Sequence, residues 1–245
     1  MGIKEKRTKL LLTMFLMSGV NFSFVTFDKK IQDFFDISFN QKTRGTLSGL
    51  LKEGEIEKGL EENQYRLTEK GFLSLILYFP SFRFLKEKWD GRWRIISYEI
   101  PEKKRELRDK LRREMQGWGL GPWHRSFWLT PHPIINTLRN LVSQKEEEQY
   151  IQAFESDHVF GNREILIEKV WGIKELNTEY RELFKIWHET LSKDGEKQDK
   201  FKKVLSKYVA VLRQDPGLPI ELVGEKWIGL EAFTIFKEIK GILLS

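Results

Sequence analysis

The spacing of apolar residues changes twice along the chain, and this division constrains the fold more than any other feature. Apolar side chains recur at helical spacing before Pro80 and again after residue 170, whereas the intervening stretch alternates extended runs with helices. The sequence therefore predicts an α+β protein with three domains, at residues 1–82, 86–168 and 170–245.

The first block has the element order of a winged helix-turn-helix. Helices are predicted over 5–18, 27–36 and 39–53, followed by a two-strand ribbon at 55–57 and 65–67. A last helix begins after Thr68, a good N-cap, and runs through Phe79 to Pro80. In such a domain the third helix enters the major groove of DNA. The same pattern also fits a plain small helical domain.

A secretory signal is a second interpretation of the N-terminus, because basic residues from Lys4 onward precede the apolar run 10–17. Thr13 and Ser18 interrupt the run, which is too short to span a bilayer. We therefore expect an amphipathic first helix and no membrane association.

The second block predicts a strand at 93–100, a helix from Pro101 to the glycine-rich turn at 117–121, and an extended stretch at 123–130. A helix at 134–151 and short extended pieces at 156–161 and 164–169 complete it. This βαββαβ order is typical of a ferredoxin-like domain. The third block predicts helices, interrupted at 215–219.

Composition narrows the classes of function. Lysine and arginine exceed the acids by 42 to 36, so the net charge of +6 permits a polyanionic partner without requiring one. The chain has no cysteine, which excludes disulfides and thiol nucleophiles and suits the reducing cytoplasm. The four histidines share no metal-ligand spacing, and no phosphate-binding loop is present. We expect no cofactor and no enzymatic activity.

Three short motifs follow one another after residue 88. They read WDGRWR at 89–94 with YEIPE at 98–102, WGI at 171–173, and DPGLP at 215–219. In this order they resemble the PaaX family of bacterial repressors. The resemblance implies a winged helix-turn-helix, a ferredoxin-like dimerisation domain similar to the small nucleases of CRISPR adaptation, and a C-terminal helical domain. It further implies a homodimer that binds double-stranded DNA and represses a catabolic operon, with an acyl-coenzyme A thioester as effector.

Several residues of the N-terminal block are candidate DNA contacts. Arginine can pair with guanine and glutamine with adenine, while threonine and serine can reach phosphate or base. Ribbon residues would contact the DNA backbone. The candidates are Gln41, Lys42, Thr43, Arg44 and Ser48 in the third helix, and Lys58 and Arg66 on the ribbon. A solvated helix face is the alternative.

Gly45 and Gly49 lie inside the predicted third helix, at a cost of about 1 kcal/mol each relative to alanine. They would permit close helix packing, or leave the helix partly formed until DNA binds.

Two other functions remain open at this point. A metal-dependent nuclease could use Glu99 at the end of the first central strand, although one carboxylate is a poor cation site. A structural interaction protein could use the winged helix against another protein, and salt-dependent DNA binding would argue against it.

Overall fold

The computed structural model describes residues 6–244. Residue 5 of the predicted first helix, and Lys4 before that helix, lie outside the described residues. The chain forms two compact units. The first combines the chain up to Tyr78 with Thr178–Gln214 and the stretch from Ile228 onward, and the second combines Phe79–Asn177 with Asp215–Trp227. Within residues 6–244, no helix is long and apolar enough to cross a membrane.

The N-terminal elements follow the predicted order, with one short strand added. They are α1 (Lys6–Ser18), β1 (Val25–Thr26), α2 (Lys29–Phe34), α3 (Gln41–Lys52), β2 (Ile56–Lys58), β3 (Gln64–Leu67) and α4 (Glu69–Leu75). The strands form an antiparallel sheet in the order β1-β3-β2. The predicted ribbon is therefore the β2–β3 pair, and β1 extends it on the other side of β3.

Local capping sets where the N-terminal helices begin. The Thr68 side chain accepts a hydrogen bond from the Gly71 N–H at the start of α4, as predicted. That helix ends at Leu75 rather than at Phe79, where it was expected to end. A residue before proline disfavours the helical region, and Phe79 accordingly adopts φ −134° and ψ 72° ahead of Pro80.

The central elements confirm the predicted ferredoxin-like domain. They are β4 (Trp93–Tyr98), α5 (Arg105–Gly117), β5 (Gly121–His124), β6 (Phe127–Thr130), α6 (Ile135–Val142) and β7 (Ile151–Ser156). The four strands form an antiparallel sheet in the order β5-β6-β4-β7. The first and third strands of the βαββαβ unit are thus neighbours at the centre of the sheet.

The predicted elements between residues 134 and 169 are wrong in detail. The helix stops at Val142, the last strand is β7, and 163–171 form a helix, α7 (Arg163–Trp171). Residues 152–156 of β7 are all exposed, so this edge strand has no apolar alternation that could reveal it. Asn162 caps α7 by accepting the Ile165 N–H at 2.9 Å, and the helix buries Ile167 and Val170.

The remaining elements are α8 (Ile173–Ser192), α9 (Lys197–Leu212), α10 (Ile220–Val223) and α11 (Gly229–Leu244). In the first unit, α9 packs on α2 through Phe201 and Phe34, whose ring centroids are 4.7 Å apart. Phe233 of α11 stacks on Phe15 of α1 at 5.5 Å. The C-terminal helices therefore share one core with the N-terminal elements.

Candidate nucleic-acid interface

The N-terminus of α3 is fixed by a group of polar contacts around Thr43. The Asn40 side chain accepts the Thr43 N–H at 3.0 Å, which caps the helix. The Thr43 hydroxyl donates to the Ser38 carbonyl at 2.5 Å and accepts from Lys6 Nζ at 2.9 Å. Thr43 is completely buried, so its hydroxyl positions α3 and is not presented to a partner.

The C-terminal end of α3 is held by Arg7 of α1. The Arg7 guanidinium lies 2.6 Å from carboxylate oxygens of both Glu53 and Glu55. The hydrogen bond with Glu53 raises the pKa of Arg7 above its ordinary value and lowers that of Glu53. Glu55 is buried and also accepts from the Ser74 hydroxyl at 2.6 Å. Because α1 binds both ends of α3, the orientation of α3 is set before any partner arrives.

The outer face of α3 brings together the other helix candidates. Gln41, Lys42, Arg44 and Ser48 are exposed, while Leu47 and Leu50 on the opposite face are buried. Long polar side chains thus line one side of a helix whose other side is anchored in the core. Four of the five helix residues named as candidates are therefore accessible, Thr43 is not, and their contact with DNA stays a prediction.

Gly45 and Gly49 lie on this same outer face. Apart from the chain neighbours and the backbone of α3 itself, a Cβ atom built on either glycine would have no described atom within 4 Å. Close helix packing among the described residues, one of the two alternatives considered above, therefore does not explain these glycines. They leave instead a strip where the α3 backbone is open to a partner.

The two ribbon candidates differ in their surroundings. Lys58 is exposed at the end of β2. Arg66 pairs with Glu57 directly across the ribbon, with Nε and Nη2 at 2.7 and 2.5 Å from one carboxylate oxygen. Its guanidinium also lies 4.8 Å from the centre of the Phe24 ring. The charge of Arg66 is thus compensated, and Lys58 is the better placed of the two for a phosphate.

Glu99 follows β4 and is exposed, with its N–H donating to the Tyr150 carbonyl at 2.9 Å. In the part of the chain that the structure describes, no group of three or more His, Asp and Glu side chains is arranged to hold a metal ion. Metal-assisted phosphodiester hydrolysis draws on several oxygen ligands, so the nuclease interpretation is not favoured by these residues.

The WDGRWR motif builds the start of the central sheet. Arg94 is buried, and its guanidinium forms two hydrogen bonds with the Asp90 carboxylate, at 2.9 and 2.5 Å. It also donates to Glu155 on β7 and to the Pro131 carbonyl, at 3.0 and 3.1 Å. The hydrogen bond with Arg94 lowers the pKa of Asp90 below its ordinary value. The motif therefore ties β4 to its neighbours.

The DPGLP motif forms a tight loop in the second unit. The Asp215 carboxylate accepts the Gly217 N–H at 2.7 Å, and Gly217 has a φ of +64°. A Cβ atom on Gly217 would lie 2.2 Å from the carbonyl carbon of Pro80, which explains the glycine.

His132 holds this loop in place from the central domain. Its Nε2 donates to the Pro216 carbonyl at 2.7 Å, and its ring stacks on Phe84 at 5.4 Å. Complete burial, with the nearby charge of Arg83, lowers the pKa of His132 to about 3. Sequence reasoning missed this role because the two partners are 84 residues apart.

Comparison with known proteins agrees with this architecture. A family model described as the PaaX protein central Cas2-like domain matches residues 86–165, and one described as the PaaX-like protein C-terminal domain matches residues 171–245. No curated protein matches the chain. The fold is similar to that of Uncharacterized protein Rv0674 from Mycobacterium tuberculosis, with a TM-score of 0.57 and 15% identity over 96% of this chain and 94% of that one. The chain belongs to the PaaX family.

Proposed function

We propose that this protein is a DNA-binding transcriptional regulator that reads DNA with the outer face of α3. The observation that carries the proposal is the combination of an exposed polar face with a helix held at both ends. Arg44, Gln41 and Ser48 project from a scaffold that Lys6 and Arg7 of α1 fix in place. A preorganised site spends less of its binding energy on ordering its own side chains and backbone.

The roles of individual residues follow from their chemistry. Arg44 pairs with guanine O6 and N7, and Gln41 with adenine N6 and N7, in the major groove. Lys42 and Ser48 contact the flanking phosphates, and Lys58 does so from the ribbon. Arg66 contributes to DNA binding only if phosphate displaces Glu57, and Thr43 acts as a positioning residue.

The protein acts in this proposal as a homodimer through its central domain. Three aromatic side chains of the central sheet are unusually exposed, namely Trp123 at 40%, Phe127 at 41% and Phe154 at 54%. Phe154 lies on β7, an edge strand of the sheet, and unpaired edges favour association with another chain. Membership of the PaaX family supports repression of a catabolic operon in the cytoplasm, relieved by an acyl-coenzyme A thioester.

A comparison of specific and nonspecific DNA tests the proposal. Loss of a bidentate base contact costs about 1–3 kcal/mol, so Arg44→Ala weakens binding to a selected site by about 5- to 150-fold. Binding to random duplex falls far less, because it depends on phosphate contacts.

The matched control is Arg139→Ala, which removes an exposed arginine of α6 in the other unit. It is expected to change neither affinity. Equal losses on both DNAs with Arg44→Ala would show that Arg44 reads no base.

A further inference from the structure

A cavity of about 520 Å³ lies in the second unit, between α7, the first turn of α8 and the segment around α10. Its size falls within the range of small-molecule sites. The floor is formed by Ile167, Leu222 and Trp227, which are 3%, 7% and 7% exposed. Because these residues belong to the packed interior, the apolar floor exists without a ligand.

The rim of the cavity carries an apolar side chain that is largely exposed. Ile165 of α7 lines the cavity and is 67% exposed. Covering such a side chain on binding removes apolar surface from water, which favours association. An apolar ligand body seated on the floor would cover Ile165 as well.

The polar lining indicates the remaining chemistry of the ligand. Lys169, Lys174 and Lys226 line the cavity together with two carboxylates, those of Glu164 and Glu168. The Glu168 carboxylate already accepts a hydrogen bond from the backbone N–H of Lys174 at 3.0 Å. The lining therefore carries a net positive charge, which complements one anionic group.

The side chain of Asn177 indicates a second polar group on the ligand. It lines the cavity, and its buried Oδ1 has no hydrogen-bond partner among the described residues. Because this oxygen has almost no accessible surface, a ligand can reach it only after the amide turns over, and that rotation breaks no hydrogen bond of the oxygen. A hydroxyl both donates and accepts, so it fits the Asn177 amide in either orientation.

We propose that this cavity binds a small aliphatic hydroxy acid, with its apolar chain on the floor, its carboxylate near the lysines and its hydroxyl on Asn177. The proposal is independent of DNA binding, because every residue of the cavity lies in the second unit and its occupancy can be measured without DNA.

Calorimetric titration of the full chain with three probes tests the proposal. The probes are 2-hydroxyoctanoate, octanoate and 1,2-octanediol, which differ only in the hydroxyl or the charge. We expect 2-hydroxyoctanoate to bind about five- to tenfold more tightly than octanoate, the value of one hydrogen bond. The uncharged diol is expected to bind more weakly than 2-hydroxyoctanoate.

Two variants locate the binding. Asn177→Leu should abolish the preference for the hydroxyl while retaining binding of octanoate, and Ile165→Asp should reduce the affinity for all three probes at least tenfold. Val159→Asp is the control, since Val159 is a 91% exposed aliphatic residue outside the cavity lining. Equal binding of 2-hydroxyoctanoate and octanoate, or binding that survives Ile165→Asp, would overturn the proposal.

Discussion

Replacing Gly45 and Gly49 by alanine should change the stability of α3 and its binding of DNA in opposite directions. Glycine inside a helix costs about 1 kcal/mol relative to alanine. At both positions the space around a new Cβ is open to 4 Å, and no left-handed backbone stands in the way. Each substitution should therefore raise the free energy of unfolding by about 1 kcal/mol, and the pair by about 2 kcal/mol. For a chain of this size the pair corresponds to a rise in Tm of about 4–8 °C.

The same substitutions should weaken DNA binding. In the proposed complex the glycine strip faces the groove, so two methyl groups would hold the α3 backbone away from the bases. We expect the double variant to lose at least tenfold in affinity for a selected site, measured by fluorescence anisotropy, while circular dichroism reports the higher Tm.

Gly241→Ala is the matched control, because Gly241 lies in α11, is exposed and also has no described atom within 4 Å of a built Cβ. It should stabilise the protein by a similar amount and leave DNA affinity unchanged. A double variant that gained stability and kept full DNA affinity would refute the placement of this face against DNA. A loss of stability would show that the space around the two glycines is not open.

Three further predictions concern the second unit. His132 stays neutral in the fold down to a pKa of about 3, whereas the unfolded chain takes up a proton below its ordinary value of 6.5. The free energy of unfolding should therefore fall by up to about 1.4 kcal/mol per pH unit as the pH drops below 6.5. Urea titrations at pH 7, 6 and 5 should show a smaller fall for His132→Gln than for the wild type. The same fall in both proteins would contradict this. Gly217→Ala should lower the free energy of unfolding by about 3 kcal/mol or more, because the new Cβ meets Pro80 and the backbone is left-handed. A Tm near that of the wild type would show that the loop relaxes at no cost. Asp90→Ala should lower the free energy of unfolding in urea by about 1.5–3 kcal/mol, because it leaves the buried Arg94 without its principal partner. An unchanged free energy would show that Glu155 alone compensates the charge of Arg94.

Features that depend on neighbours in sequence could be predicted. The Thr68 cap, the ribbon and the helical position of Arg44 all follow from residues within a few positions of one another. The edge strand β7 could not be recognised, since exposure on both faces removes the alternation that identifies a strand.

Features that depend on distant partners could not be predicted. Thr43 was predicted to contact DNA because the sequence near it does not reveal its burial. That burial involves Ser38 and also Lys6, which is 37 residues away. Lys240 of α11 donates to the Met17 carbonyl at 2.7 Å, a contact across 223 residues that joins the C-terminal helices to α1. Nothing in local periodicity carries such information, whereas the family motifs at 89–94 and 215–219 did indicate the central architecture.

Selection of bound duplexes from random DNA by the full chain would show directly whether α3 reads DNA. We expect enrichment of a two-part site whose halves are separated by one helical turn, about 10 base pairs, or a multiple of it. We also expect that Arg44→Ala fails to enrich the same base at one position of each half. Enrichment of nothing, or of an unchanged site by Arg44→Ala, would contradict the reading of DNA by α3.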